Sequence, residues 1–520
     1  MSLELSPAKL ILLAVHLASQ ADIDTLSFLV SRRPEALRKD IVLRILLTYL
    51  SERTPSKAYV PFLQELASGE FPDYDPVEID RAHVEELSDD EAVQKVRGLR
   101  LLPLKAPAGP VDVGDNALAI FLVLRAHRVD QECGLTQVPD LLVPFLHTVP
   151  AIRSWMISTL LPLLRRNFEY YARHASPYTL AEFDGLPGPT AVSVLLSETS
   201  LEGDGLQLVG RDLRGMAGPW MLGGEKDGRK PKNSRLEHVL AWITLQAQNN
   251  WRLAVQVFEQ WDGPVDIDLG EYGDGWWTDE QQRRFQAQYG QAGLATAYAI
   301  VEASVDGLDG AFRIFHRLST LWGHMPNHDS LESLASALES IPDLYKEGLL
   351  PLSMPPRMGG NLLDDENPLT KPAGESLLLL KALITSAFIL TKSGLPCTVR
   401  RAYDITFLHS AKEQGSEAVR FIHAIASRAP KNDDGYWNTA RRELLWLQLW
   451  GPDVDSPESL SSGSSRRGVF GLVDRRFLET EFLKSLLSSM RTCLHTCTVI
   501  ISPSNHSQAI PSHGRYMTTP

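Results

Sequence analysis

Residues 234–264, SRLEHVLAWITLQAQNNWRLAVQVFEQWDGP, decide the fold class of this chain. Leu236, Val239, Leu240 and Ile243 recur at i, i+3, i+4 and i+7, the spacing of one helix face. After Asn249 and Asn250 the period returns in Ala254, Val257, Phe258 and Trp261, and Gly263-Pro264 closes it. Two amphipathic helices with a polar break between them read as an αα-hairpin. Thr278 and Gln281 then fit a capping box, opening a helix that runs to about Ser304. Leu308, Phe312, Phe315 and Trp322 mark the next helix. Its further apolar positions, Ala311, Ile314, Leu318 and Leu321, spread over more than one face, so it packs between neighbours.

The rest of the chain is consistent with a large helical array. Its 520 residues suit about three domains or one elongated array. A 43% hydrophobic and 22% charged composition is that of a well-cored soluble protein. The net charge of -13 argues against nucleic acid as the main partner. Cys133, Cys397, Cys493 and Cys497 are too few for a disulfide framework, which fits a reducing compartment. Leu377–Leu390 is the longest apolar stretch. Lys381, Thr385 and Ser386 interrupt it and it falls short of the ~20 residues that span a bilayer, so it reads as a buried helix.

At the N-terminus, Lys9 followed by LILLAVHLAS imitates a signal peptide. Ser6-Pro7 is a helix start, however, and Leu10, Leu13, Ala14 and Leu17 make a helical stripe, so the stretch is expected to be the first solenoid helix. Ile23, Leu26, Leu29 and Val30 form a second helix, and Pro34 opens a third that carries Leu37, Ile41, Val42, Ile45, Leu46 and Tyr49. Short breaks between them imply antiparallel stacking. Further helices are expected at Ala117–His127, Ala151–Ala172, Glu375–Thr391, Ala418–Ala426, Tyr436–Trp450 and Phe477–Met490. Loops are expected near 103–116, 185–233, 351–374 and 453–468. Gly185 to Gly228 holds ten glycines and reads as the least helical part, and the basic residues Lys226, Arg229, Lys230 and Lys232 cluster over its end, within 226–232. Thr492–Pro520 lacks Asp and Glu, has no helical period and reads as a disordered tail.

Candidate chemistry fails on spacing. Asp266, Asp268, Glu271 and Asp274 invite a calcium reading. An EF-hand loop, however, needs Gly at its sixth position and Glu at its twelfth, where this chain has Glu271 and Trp277. The same carboxylates beside Trp276-Trp277 suit a carbohydrate enzyme only if they face each other across a cleft. Cys493-x-His495-x-Cys497 has no second ligand pair at zinc spacing. His324 and His328 are four apart, but Pro326 between them breaks the helix that would align them. No catalytic, cofactor-binding or metal residue is assigned, and partner-contact positions are not legible.

LVGRDLRGMAGPWM (residues 208–221), the basic loop after it, HVLAWITLQAQNNWRLAVQVFEQWDGP and the opening SPAKLILLAVHLASQADIDTLSFLVSRRPEALRKDIVLRILLTYLSE resemble fungal members of the Sec thirty-nine family. That family includes the metazoan neuroblastoma-amplified sequence protein among its relatives. The resemblance covers about Met1 to Arg491, after which the chain has a divergent or truncated end. It implies an α-solenoid subunit of the Dsl tethering complex, peripheral on the cytoplasmic face of the endoplasmic reticulum membrane. Its implied partners are other tether subunits and ER SNARE proteins, in retrograde Golgi-to-ER vesicle transport, with no cofactor. The expected fold is therefore all-α: an elongated α-solenoid of stacked antiparallel helix pairs over 1–491. Two other classes remain open from the residues alone, another solenoid coat or scaffold protein and an α/α-barrel carbohydrate-active hydrolase.

Overall fold

The computed structural model describes residues 5–74, 79–106, 113–173, 177–200, 205–223, 234–273, 278–324, 328–338, 341, 362–364, 367–430, 433–450 and 468–488. Among these residues the chain is all-α, without a strand. The chain falls into two compact units. The first comprises Met1–Trp242 with Gln260–Gln286, the second Ile243–Glu259 with Ala287–Pro520.

The first unit opens on the helix Pro7–Gln20, whose Leu10, Leu13, Ala14 and Leu17 are buried as the stripe requires. Ser6 has the extended N-cap backbone and Pro7 sits in the first turn, but the Ser6 hydroxyl makes no capping bond. Asp22 does cap the next helix, Ile23–Arg32, by accepting the Thr25 N–H. Pro34 lies in a turn, and the third helix, Lys39–Tyr49, starts only after it. The first helix packs on the second and the third, and the third packs on Ala117–Cys133, so helices alternate in a stacked, solenoid-like order.

Arg125, completely buried on Ala117–Cys133, ties that order together. Its guanidinium donates to the carbonyls of Leu50 (2.8 Å) and Ser51 (2.6 Å), and Arg128 donates to that of Leu47 (3.0 Å). These carbonyls lie at or just beyond the end of Lys39–Tyr49, where a helix has no internal donors and its dipole favours a cation. Glu52 pairs with both arginines.

The loop expected over 185–233 is wrong for much of its length. Gly188–Leu195 is a helix, and residues 205–221 form one continuous helix with a π turn at Leu213–Ala217. A similar run over residues 150–170 carries π turns at Met156–Leu160 and Arg165–Tyr170. Pro162 and Pro219 each follow a π turn closely. A proline has no N–H and crowds the carbonyl four residues back, and a widened turn accommodates that. The basic loop 226–232, the loop at 453–467 and the tail 492–520 lie outside the described residues.

In the second unit the apolar stretch is the helix Gly374–Lys392, packed against Val305–Leu321, Leu331–Ser336 and Val399–Phe407. It is long and apolar enough to cross a membrane, yet 72% of its most apolar window is buried within the protein. Its buried hydroxyls are satisfied locally: Thr385 donates to the Lys381 carbonyl and Ser386 to that of Ala382. Trp450 in turn donates to Ser386 Oγ at 2.9 Å.

In the last helix, Arg475–Ser488, Leu478, Phe482 and Leu486 are buried against the helices Ala411–Arg428 and Asp434–Leu449. The Phe482 ring meets Trp437 edge-on at 5.5 Å. Of its described apolar side chains, Phe477 and Leu487 are exposed.

Candidate functional site

The acidic stretch after Trp261 and the glycine-bearing helix 205–221 belong to one cluster in the first unit. Arg214 grips Asp266 with two parallel bonds, of 2.7 and 2.5 Å, and also donates to the Gln260 carbonyl. Arg165 pairs with Asp268 at 2.7 Å and donates to the carbonyls of Gly215 and Asp268. Arg153 donates to the Tyr272 carbonyl. The Arg214 fork holds the Asp266 carboxyl below its ordinary pKa. Asp266 and Asp268 are thus both ion-paired with arginines. Asp274, Trp276 and Trp277 lie outside the described residues.

The glycines make the cluster possible. A Cβ on Gly210 would stand 2.5 Å from Gln260 Cβ, and one on Gly215 would collide with the Tyr170 hydroxyl. Beside them Asp212 is fully buried, bound by Tyr171 Oη and by Arg211 at 2.9 and 3.0 Å. Burial raises the Asp212 carboxyl above its ordinary pKa in spite of those bonds. Trp261 is also fully buried, as the end of an apolar stripe should be, and its indole donates to the Asp266 carbonyl at 2.8 Å. The Thr278–Gln281 capping box forms, and its helix ends at Ala299, earlier than the expected Ser304. Ser304 instead caps Val305–Leu321.

A cavity of about 220 Å³ lies in the second unit. Phe312, Phe315, Leu334, Leu377 and Leu378 form its apolar walls, with Ser319, His324, His328 and Lys381 at the polar positions. The sequence singles out both histidines for their spacing and Lys381 as a break in an apolar run, but gives no sign that they meet. Gly323 brings His324 there. Its φ of +74° ends the preceding helix in a left-handed turn, with the His324 N–H bonded back to the Ser319 carbonyl at 2.8 Å. The helix thus stops before Pro326 is reached.

Among the described residues no group of His, Cys, Asp and Glu side chains is arranged to hold a metal. Cys493, His495 and Cys497, and the basic residues Lys226, Arg229, Lys230 and Lys232, lie outside the described residues.

No curated protein matches the sequence. The family described as "Secretory pathway protein Sec39" matches residues 11–509, beyond Arg491, where the composition changes. With nearly the whole chain covered by one family pattern and an all-helical architecture to go with it, the chain belongs to the Sec39 family of secretory pathway proteins.

Proposed function

We propose that this chain is a non-catalytic binding subunit of a tethering complex at the endoplasmic reticulum, acting in retrograde Golgi-to-ER vesicle transport. In this reading it binds other tether subunits and ER SNARE proteins, and stays peripheral on the cytoplasmic face of the membrane through them. The family match across residues 11–509 carries the proposal, because it assigns the helical chain itself to the secretory pathway. Stacked helices present long side-chain surfaces suited to protein partners. The engagement of Asp266 and Asp268 by Arg214 and Arg165 speaks against the hydrolase alternative, which needs free, facing carboxylates.

Two measurements test it. The tagged chain, purified from fungal lysate, should bring down ER SNAREs and tether subunits; recovery of coat subunits alone would favour the other scaffold reading. Protease added to sealed microsomes should digest the membrane-associated chain, and full protection would overturn the cytoplasmic placement.

A further inference from the structure

We propose that the cavity lined by Phe312, Phe315, Leu334, Leu377, His324 and Lys381 is an anchor site for a protein partner. It takes one large apolar side chain flanked by a carboxylate, with the carboxylate facing Lys381. The inference rests on the reading that this chain works by binding proteins, and it names the chemistry of one contact.

Size sets the first constraint. At about 220 Å³ the cavity is smaller than the roughly 300–1,000 Å³ of sites that enclose whole small molecules. A single leucine or aromatic side chain fits it, and a long acyl chain does not. Its walls are side chains of two packed core helices, Val305–Leu321 and Gly374–Lys392, and of Leu331–Ser336, so the shape is held by the unit's own packing.

Charge sets the second. Neither the Lys381 ammonium nor the His324 ring has a hydrogen-bond or ion-pair partner among the described residues. Ser319 is already committed to the Phe315 carbonyl at 2.9 Å, and His328 to Ser333 Oγ at 3.2 Å. No Asp or Glu is among the described lining residues. Lys381 is desolvated, which lowers its pKa and disfavours its charged form. A carboxylate brought in beside an apolar group reverses that penalty, in surroundings where a charge-assisted bond is stronger than at an open surface. A basic or purely apolar anchor leaves the ammonium buried without a partner.

The test uses the full chain and acetyl-Glu-Phe-Glu-amide as probe, followed by saturation-transfer NMR on the phenylalanine ring. Acetyl-Gln-Phe-Gln-amide and acetyl-Glu-Ala-Glu-amide are the controls. The acidic phenylalanine probe should bind about tenfold tighter than either control, the scale of one charge-assisted bond or one buried ring. Lys381→Met should abolish the preference for Glu over Gln while leaving the helical circular dichroism unchanged. Leu378→Trp, which fills the cavity and leaves the charge in place, should abolish binding of all three. Equal binding of the Glu and Gln probes, or unchanged binding in both variants, overturns the proposal. So does a Lys381→Met chain that loses the probe but retains every partner of the unaltered chain. If the unaltered chain recovers no secretory-pathway partner at all, the broader functional reading fails, and the probe results still decide whether the cavity accepts an acidic anchor.

Discussion

Residues 205–221 and the helix Gly374–Lys392 are both buried, and they are buried by different means. The second brings large apolar side chains and fills space with them: Leu379, Leu380, Leu383, Ile384 and Phe388 are all at most 2% exposed. The first also buries Val209, Leu213, Met216 and Trp220, but it adds glycines and charges to them. Its backbone approaches Gln260 and Tyr170 closely, and its Arg214 reaches out to the Asp266 carboxylate on the neighbouring segment. Helix propensity disfavours the first by about 1 kcal/mol for each glycine relative to alanine, so tertiary contacts must supply the difference. A helix of the first kind depends on its neighbours to exist, whereas one of the second kind is specified by its own side chains.

Four substitutions would break or sharpen this contrast. Trp261→Ala, beside the glycine-bearing helix, removes a fully buried indole and its bond to Asp266. It should cost about 3–5 kcal/mol in denaturant unfolding. A loss below about 1 kcal/mol would mean that the cluster does not depend on packing. Leu383→Ala, in the apolar helix, should cost about 2–5 kcal/mol, as a leucine-sized void in a fixed core does. Gly210→Ala should destabilise the chain by about 1–3 kcal/mol through overpacking against Gln260, although alanine is the better helix former. A stabilised Gly210→Ala chain would show that the close approach is not what selects glycine there.

The smallest effect is expected from Asp266→Asn, under about 1 kcal/mol at neutral pH because the Arg214–Asp266 pair is partly solvated. Its signature is the pH dependence. The folded-state pKa of Asp266 is depressed, so its contribution is complete above the ordinary carboxylate pKa. It disappears as pH falls through the lower folded value. Thermal melts of the variant and the unaltered chain should therefore converge in acid. A difference that persists there would assign the effect to shape and not to charge.

The same contrast explains what was legible in the sequence. The stripe of Leu236, Val239, Leu240 and Ile243, the first-helix stripe at Leu10–Leu17 and the apolar run at Leu377–Leu390 declare themselves by period, since each signal lies within one helix. Glycine within residues 208–221 carries no such signal. Its meaning resides in Tyr170 and Gln260, some 40 to 50 residues away, and without them the statistical reading of glycine as loop prevails. The cavity was hidden for the same reason. Lys381 and His324 are ordinary residues until the fold sets them around one space. The covered face of Arg475–Ser488 is another such case: the helix is readable from its own residues, but that Trp437 meets Phe482 is not.

The Arg125 contact bears on how the chain is made. Arg125 and the Ser51 carbonyl it binds are 74 residues apart in sequence. At a synthesis rate of roughly 5–20 residues per second, Ser51 leaves the ribosome about 4–15 s before its donor does. During that interval the first three helices are present without Ala117–Cys133, so the carbonyls that follow Lys39–Tyr49 lack their arginine donors and the face of Lys39–Tyr49 that packs on that helix lacks its neighbour. The amino-terminal part of this protein therefore has a waiting time built into its biogenesis, and slower translation between residues 51 and 125 lengthens the exposure of exactly that surface to chaperones and to aggregation.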